Sequence, residues 1–122
     1  MTVRWEVFYV AYCRHTKPKP KPKLVAIAYV NPSPHGFLIN SRINNYIRNN
    51  PNLLPCEALI LASQHSSFLK NDSYVDCRDI FTFDTTELTE SRGLLSLDAQ
   101  QAIIHAVNAC PVLARIHKTK IV

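Results

Sequence analysis

The chain has 122 residues, 47% of them apolar, and a formal net charge of +5. That length fits one domain, 1–122, whose single core buries roughly two-thirds of the unfolded surface without help from metal or disulfide. No apolar run approaches the ~20 residues of a membrane helix, and Arg4 and Glu6 interrupt the first apolar stretch, so neither a membrane span nor a secretory leader is expected.

The charge is one-sided. From Met1 to Pro55 the only acid is Glu6, against Arg4, Arg14, Lys17, Lys19, Lys21, Lys23, Arg42 and Arg48. An acid-free basic half suits a polyanionic partner, and it suits equally a solubilising surface or an acidic protein chain. Cys13, Cys56, Cys77 and Cys110 form no Cys-x-x-Cys pair, which argues against a zinc knuckle or a thioredoxin-like site. Free thiols in a reducing cytoplasm are expected.

Val3 to Tyr12 is rich in β-branched and aromatic residues and predicts a strand, with Val3, Trp5, Val7 and Tyr9 on one face. Alternating lysines and prolines from Lys17 to Lys23 predict an extended, exposed loop over 14–23, because proline lacks an N–H and pushes its predecessor to extended geometry. Leu24–Val30 reads as a central strand, Asn31–Gly36 as a turn and Phe37–Ile43 as the return strand of a hairpin. The Asn44–Asn52 stretch suits a short helical turn or a loop and Cys56–Ala62 a further strand. Ser63–Asn71 is a polar loop holding His65. Ser73–Cys77 and Asp79–Phe83 suit one bent strand or two short ones, and Asp84–Arg92 a polar connection.

One helix is well marked, at about Leu97 to Ala109. Ser96 suits its N-cap, Asp98 complements the helix dipole and Pro111 stops it. Ala99, Ile103, Val107 and Cys110 make an apolar stripe, with Gln101, His105 and Asn108 on the other side. Val112 to Ile116 reads as a closing strand. The expected fold is mainly β with one C-terminal helix: a small antiparallel SH3-like barrel of five to six strands.

The order of these pieces resembles the MazF/PemK toxin family. Lys23-Leu24-Val25-Ala26-Ile27-Ala28 is similar to that family's basic residue opening a strand. Gly36-Phe37-Leu38-Ile39-Asn40-Ser41-Arg42 is similar to the next strand and its hydroxyl end, and Ser73-Tyr74-Val75-Asp76-Cys77 to a later barrel strand. Gly93-Leu94-Leu95-Ser96-Leu97 through Val107 is similar to the terminal glycine, linker and helix. The resemblance spans Lys23 to Leu113 and departs from the family at two points: lysine replaces the usual arginine at 23, and serine replaces threonine at 41. It implies a toxin-like endoribonuclease of a toxin–antitoxin system, acting on single-stranded RNA without metal or other cofactor, bound by an acidic antitoxin protein and pairing as a homodimer. The alternative is a non-catalytic barrel module that binds RNA or an acidic, extended peptide.

Metal-free RNA cleavage needs a group to take the 2′-hydroxyl proton, a group to protonate the leaving oxygen, and charge to stabilise the transition state. The candidates are Lys23, Ser41, Arg42 and His65, with Lys17, Lys19, Lys21, Arg48 and Lys70 as RNA-binding cations. Arg42 could brace phosphate oxygens, Ser41 orient one, and His65 move a proton near neutral pH. Each also has an ordinary reading: Arg42 as a solvated strand-end charge, and His65, His15, His35 and His105 as surface histidines. Asp72, Asp76 and Asp79 match no calcium-loop spacing, and the serines around His65 lack the glycine elbow of a serine hydrolase.

Overall fold

Strand β2, Lys21–Tyr29, is the centre of the protein because its run of apolar side chains is buried on both faces, from Val25 to Tyr29. The structure is a computed structural model describing residues 2–122; Met1 lies outside them. On one side β2 pairs with β1, Glu6–Cys13, and on the other with β3, His35–Asn40. The far edge of β3 carries both β5, Ser73–Asp76, and β6, Phe81–Thr82, and β5 pairs in turn with β4, Glu57–Ile60. At the opposite edge β7, Glu90–Leu94, pairs with β1. All these pairs are antiparallel, in the order β4-β5-β3-β2-β1-β7.

The sheet therefore has seven strands rather than five or six, and among the described residues no ladder joins β4 to β7, so the expected closed barrel is an open sheet. Helix α2, Leu97–Ala109, packs against β4 and covers the larger core. Its bounds follow the predicted signals. Ser96 Oγ accepts from Ala99 N at 3.1 Å, and Ala99, Ile103 and Val107 point inward. Burying each of the two branched side chains contributes about 1.5–3 kcal/mol. The other face of β1 and β2 holds a smaller core, where Phe8, Val10, Val25 and Ile27 meet Phe83 and Leu88.

Two further helices modify the expectation of one. The asparagine-rich stretch forms α1, Asn45–Arg48, capped by Asn44. The expected closing strand is instead the lead into α3, Arg115–Ile121, which buries Ile121. Among the described residues no helix is long and apolar enough to cross a membrane.

Two local differences matter for the site. Strand β1 starts at Glu6, because Trp5 sits in a turn at φ 73, although Trp5 still packs against the core that holds Val7. The lysine–proline segment re-enters the sheet at Lys21, opposite Cys13, which shortens the expected 14–23 loop. Gly36 is required where β3 crosses β2: a Cβ there would lie 2.7 Å from Val25 Cγ1 and 2.9 Å from the Ala26 carbonyl oxygen.

Candidate functional site

The turn after β1, the start of β2, the residues just past β3 and those just past β5 enclose a cleft of about 670 Å³. Lys17, Lys21, Lys23, Arg42 and Arg78 line it, five cations against the two carboxylates Asp76 and Asp79. This excess suits an anion with several charges.

Register explains why Lys23 and Asn40 meet. Leu24 faces Ile39 across the β2–β3 ladder, so the next position outward sets Lys23 against Asn40, and Lys23 Nζ donates to Asn40 Oδ1. Half-burial and the neighbouring charge of Lys21 hold the Lys23 ammonium below the ordinary lysine value. Ser41 and Arg42 follow immediately after β3 and are exposed. Among the described residues Arg42, Lys17 and Lys21 form no ion pair, so their charges remain available to a ligand.

Arg14 is committed elsewhere. It pairs with Glu87 at 3.2 Å and donates to the Thr82 carbonyl at 3.0 Å, which anchors the turn. His15, next in the chain, lines the cleft, stacks on Phe81 at 4.5 Å and bonds the Thr82 carbonyl through Nε2 at 3.0 Å. A carbonyl only accepts, so Nε2 carries the hydrogen and Nδ1 presents its lone pair.

The opposite wall has its own charge device. Asp76 Oδ1 accepts from Arg78 Nε at 3.0 Å and Asp76 Oδ2 from Arg78 Nη2 at 2.8 Å, while the Arg78 guanidinium sits 5.6 Å from the Tyr46 ring of α1. Across the β4–β5 ladder Asp76 faces Glu57. Burial first, and then Asp76, push the Glu57 carboxyl up to about 8. As two carboxylates the pair has no donor, and both Glu57 oxygens are buried without one. A proton on Glu57 supplies the missing donor.

The candidates divide. Lys23, Ser41, Arg42, Lys17 and Lys21 come together in the cleft. Lys70 lines an adjoining groove of about 300 Å³ that shares Lys23, Asn40 and Ser41 with it. Lys19 is exposed outside the cleft lining, and Arg48 spends its Nε on the Ile43 carbonyl at 3.2 Å. His65 is elsewhere and is neither exposed nor in the cleft: at 3% exposure its Nδ1 donates to the Leu61 carbonyl and its Nε2 accepts from the Ser96 amide at 2.9 Å. With both nitrogens occupied it locks the loop to the start of α2.

Sequence reasoning missed His15 as a cleft residue, and also Asn40, Arg78 and Glu57. Their roles depend on partners across the sheet, for which the sequence carries no local signal. The thiols do not join the site. Burial pushes Cys56 up to about 12 and raises Cys77, and the Sγ atoms of Cys56 and Cys110 lie 2.6 Å apart inside the core. Among the described residues no group of three metal-ligating side chains gathers.

No known family's sequence pattern matches the chain, and no curated protein is similar to it in sequence. Among solved structures the fold is similar to Mycobacterium tuberculosis toxin MazF-mt6, with a TM-score of 0.58 and 20% identity over 83% of this chain and 92% of that chain. The fold of this protein is MazF-like.

Proposed function

We propose that the protein is a toxin-like endoribonuclease that cleaves single-stranded RNA without a metal ion. The observation that carries this reading is the gathering of Lys23, Ser41 and Arg42, from two adjacent strands, with the unpaired Lys17 and Lys21 in one cationic cleft of a MazF-like fold. Lys17, Lys21 and Arg42 hold successive phosphates. Arg42, with its planar fork of donors, braces the scissile phosphate and stabilises the charge that builds on it. The Ser41 hydroxyl orients a phosphate oxygen.

His15 replaces His65 as the proton-moving group. It takes the 2′-hydroxyl proton at Nδ1, the 2′ oxygen attacks the neighbouring phosphorus, and the 5′ oxygen leaves with a proton, giving a 2′,3′-cyclic phosphate. Lys23, whose ammonium gives up its proton more readily than an exposed lysine, serves the leaving oxygen. An acidic antitoxin would cover the same cations, and two copies of the chain would form the working unit.

A second reading, a non-catalytic module for RNA or an acidic peptide, draws support from Lys23 itself. Its ammonium is spent on Asn40 and cannot grip phosphate in two places as arginine does. One assay separates the two: purified protein and a long single-stranded RNA in EDTA, with product ends analysed and growth on expression scored in parallel. Cleavage that survives EDTA, leaves cyclic phosphate and disappears in Arg42→Ala supports the nuclease. Tight binding without cleavage or growth arrest supports the module.

A further inference from the structure

At the other end of β2 from the cleft lies a second pocket, of about 380 Å³, lined by Arg4, Tyr29, Val30, Asn31, Pro32 and Lys120. Six residues of strand separate Lys23 from Tyr29, so the two sites are about 20 Å apart along the strand. Three separate segments build this pocket: the chain before β1, the turn between β2 and β3, and α3.

We propose that this pocket is a phosphate-binding site distinct from the cleft, with Arg4 and Lys120 as its cationic jaws. Among the described residues none that lines it is acidic. Arg4 has one guanidinium nitrogen on the Ile121 carbonyl and its Cζ 4.4 Å from the centre of the Trp5 ring, while its Nε is buried with no acceptor among the described residues. A buried donor without a partner is uncommon; since Nε is shut off from solvent, an arriving anion would meet the guanidinium through Nη1. The Lys120 ammonium lies 5.2 Å from the Tyr29 ring and reaches only the Asn31 carbonyl, at 3.4 Å.

Backbone geometry singles out the same place. Trp5 adopts φ 73, an outlier for so large a side chain, between its amide's bond to the Ile27 carbonyl at 2.7 Å and its own carbonyl's bond from Leu95 N at 2.9 Å. This turn is where Arg4 leaves the line of β1 and meets α3. His117 stands beside the pocket. His117 bonds the Tyr29 hydroxyl at 2.8 Å, and burial, then His35 and Lys120, hold its imidazole below the ordinary value.

The test is residue-resolved NMR on the full chain, titrated with inorganic phosphate against chloride at matched ionic strength. Saturable shifts at Val30, Asn31 and His117 are expected, with affinity about tenfold weaker in Lys120→Gln, the loss of one charge-assisted bond. Lys120 is exposed, so this variant keeps the fold; Arg4→Gln, which also loses the Ile121 contact, is the second variant and should weaken binding at least as much. Shifts that match chloride, that survive in both variants, or that stay within Lys17–Lys23 would overturn the proposal. A short oligoribonucleotide without terminal phosphate then identifies the source. The same shifts would make the ligand a backbone phosphodiester; shifts with inorganic phosphate alone would make it a small free phosphate. Either result upholds the site, and neither depends on whether the cleft cleaves RNA.

Discussion

The cleft and the loop from Ala62 to Asn71 contain similar residues in opposite states. In the loop two polar side chains are fully spent: His65 on Leu61 and Ser96, and Gln64 on Asp98 at 2.8 Å and on Ser96 Oγ at 2.8 Å. Among the described residues, Lys17, Lys21 and Arg42 in the cleft have no carboxylate partner, and Glu57, which faces the cleft residue Asp76, lacks a donor. Composition does not distinguish a structural loop from a working surface; the balance of satisfied and unsatisfied hydrogen-bonding groups does.

The sharpest way to break this comparison is to remove an unspent charge. Arg42→Ala should lower the RNA cleavage rate by about 10²–10³, or 3–4 kcal/mol of transition-state stabilisation, and leave the melting temperature unchanged. A rate within threefold of wild type would show that the cleft charges do not act on the reaction.

The spent region should behave in the reverse way. His65→Ala leaves the Ser96 amide and the Leu61 carbonyl without partners, and should cost about 2–3 kcal/mol in denaturant unfolding. The rate per folded molecule should not change. If His65→Ala abolished cleavage in a fully folded protein, the histidine roles assigned here would have to be exchanged.

Glu57 tests the unsatisfied group that faces the cleft residue Asp76. Its folded value of about 8 lies above that of a free carboxyl, so the folded state holds a proton that the unfolded chain has lost. The resulting stability is present in full at low pH, falls as pH rises from about 4.5 to 8, and is gone above that. Glu57→Gln keeps a permanent donor toward Asp76, so it should flatten that slope and be about 1–2 kcal/mol more stable than wild type at pH 9. Denaturant midpoints at pH 5, 7 and 9 measure this; an unchanged slope in the variant would move the titration elsewhere. The smallest effect expected is at Lys70, beyond the shared wall of Lys23, Asn40 and Ser41, where Lys70→Ala should change the rate by less than about threefold, as for a screened surface charge.

How much of this was legible in the sequence depended on whether the signal was local. Helix α2 announced itself through Ser96, the Ala99–Ile103–Val107 stripe and Pro111, all within one segment. The central strands showed as apolar runs. Strand β7 did not, because Glu90–Leu94 is a polar edge with nearly every side chain exposed. Helix α3 was misread because the Val112–Ile116 stretch looks apolar, whereas the helix buries Ile121. Lys23 and Ser41 became candidates through the family resemblance at the head and end of two strands, and Arg42 through its place next to Ser41. His15 did not, since the groups that define it, Phe81 and Thr82, lie more than sixty residues away. The Glu57–Asp76 pair depends on the register of two strands that no sequence pattern sets.

The central claim is that the unpaired cations of the cleft are the RNA contact, and the salt dependence of binding tests it most directly. Each phosphate neutralised on a single strand contributes about −0.7 to the slope of log affinity against log salt. Replacing Lys17, Lys21 and Arg42 together with glutamine should make the slope shallower by about 2 while unfolding stability stays the same. A variant that kept the wild-type slope would contradict the account and place the RNA on another surface.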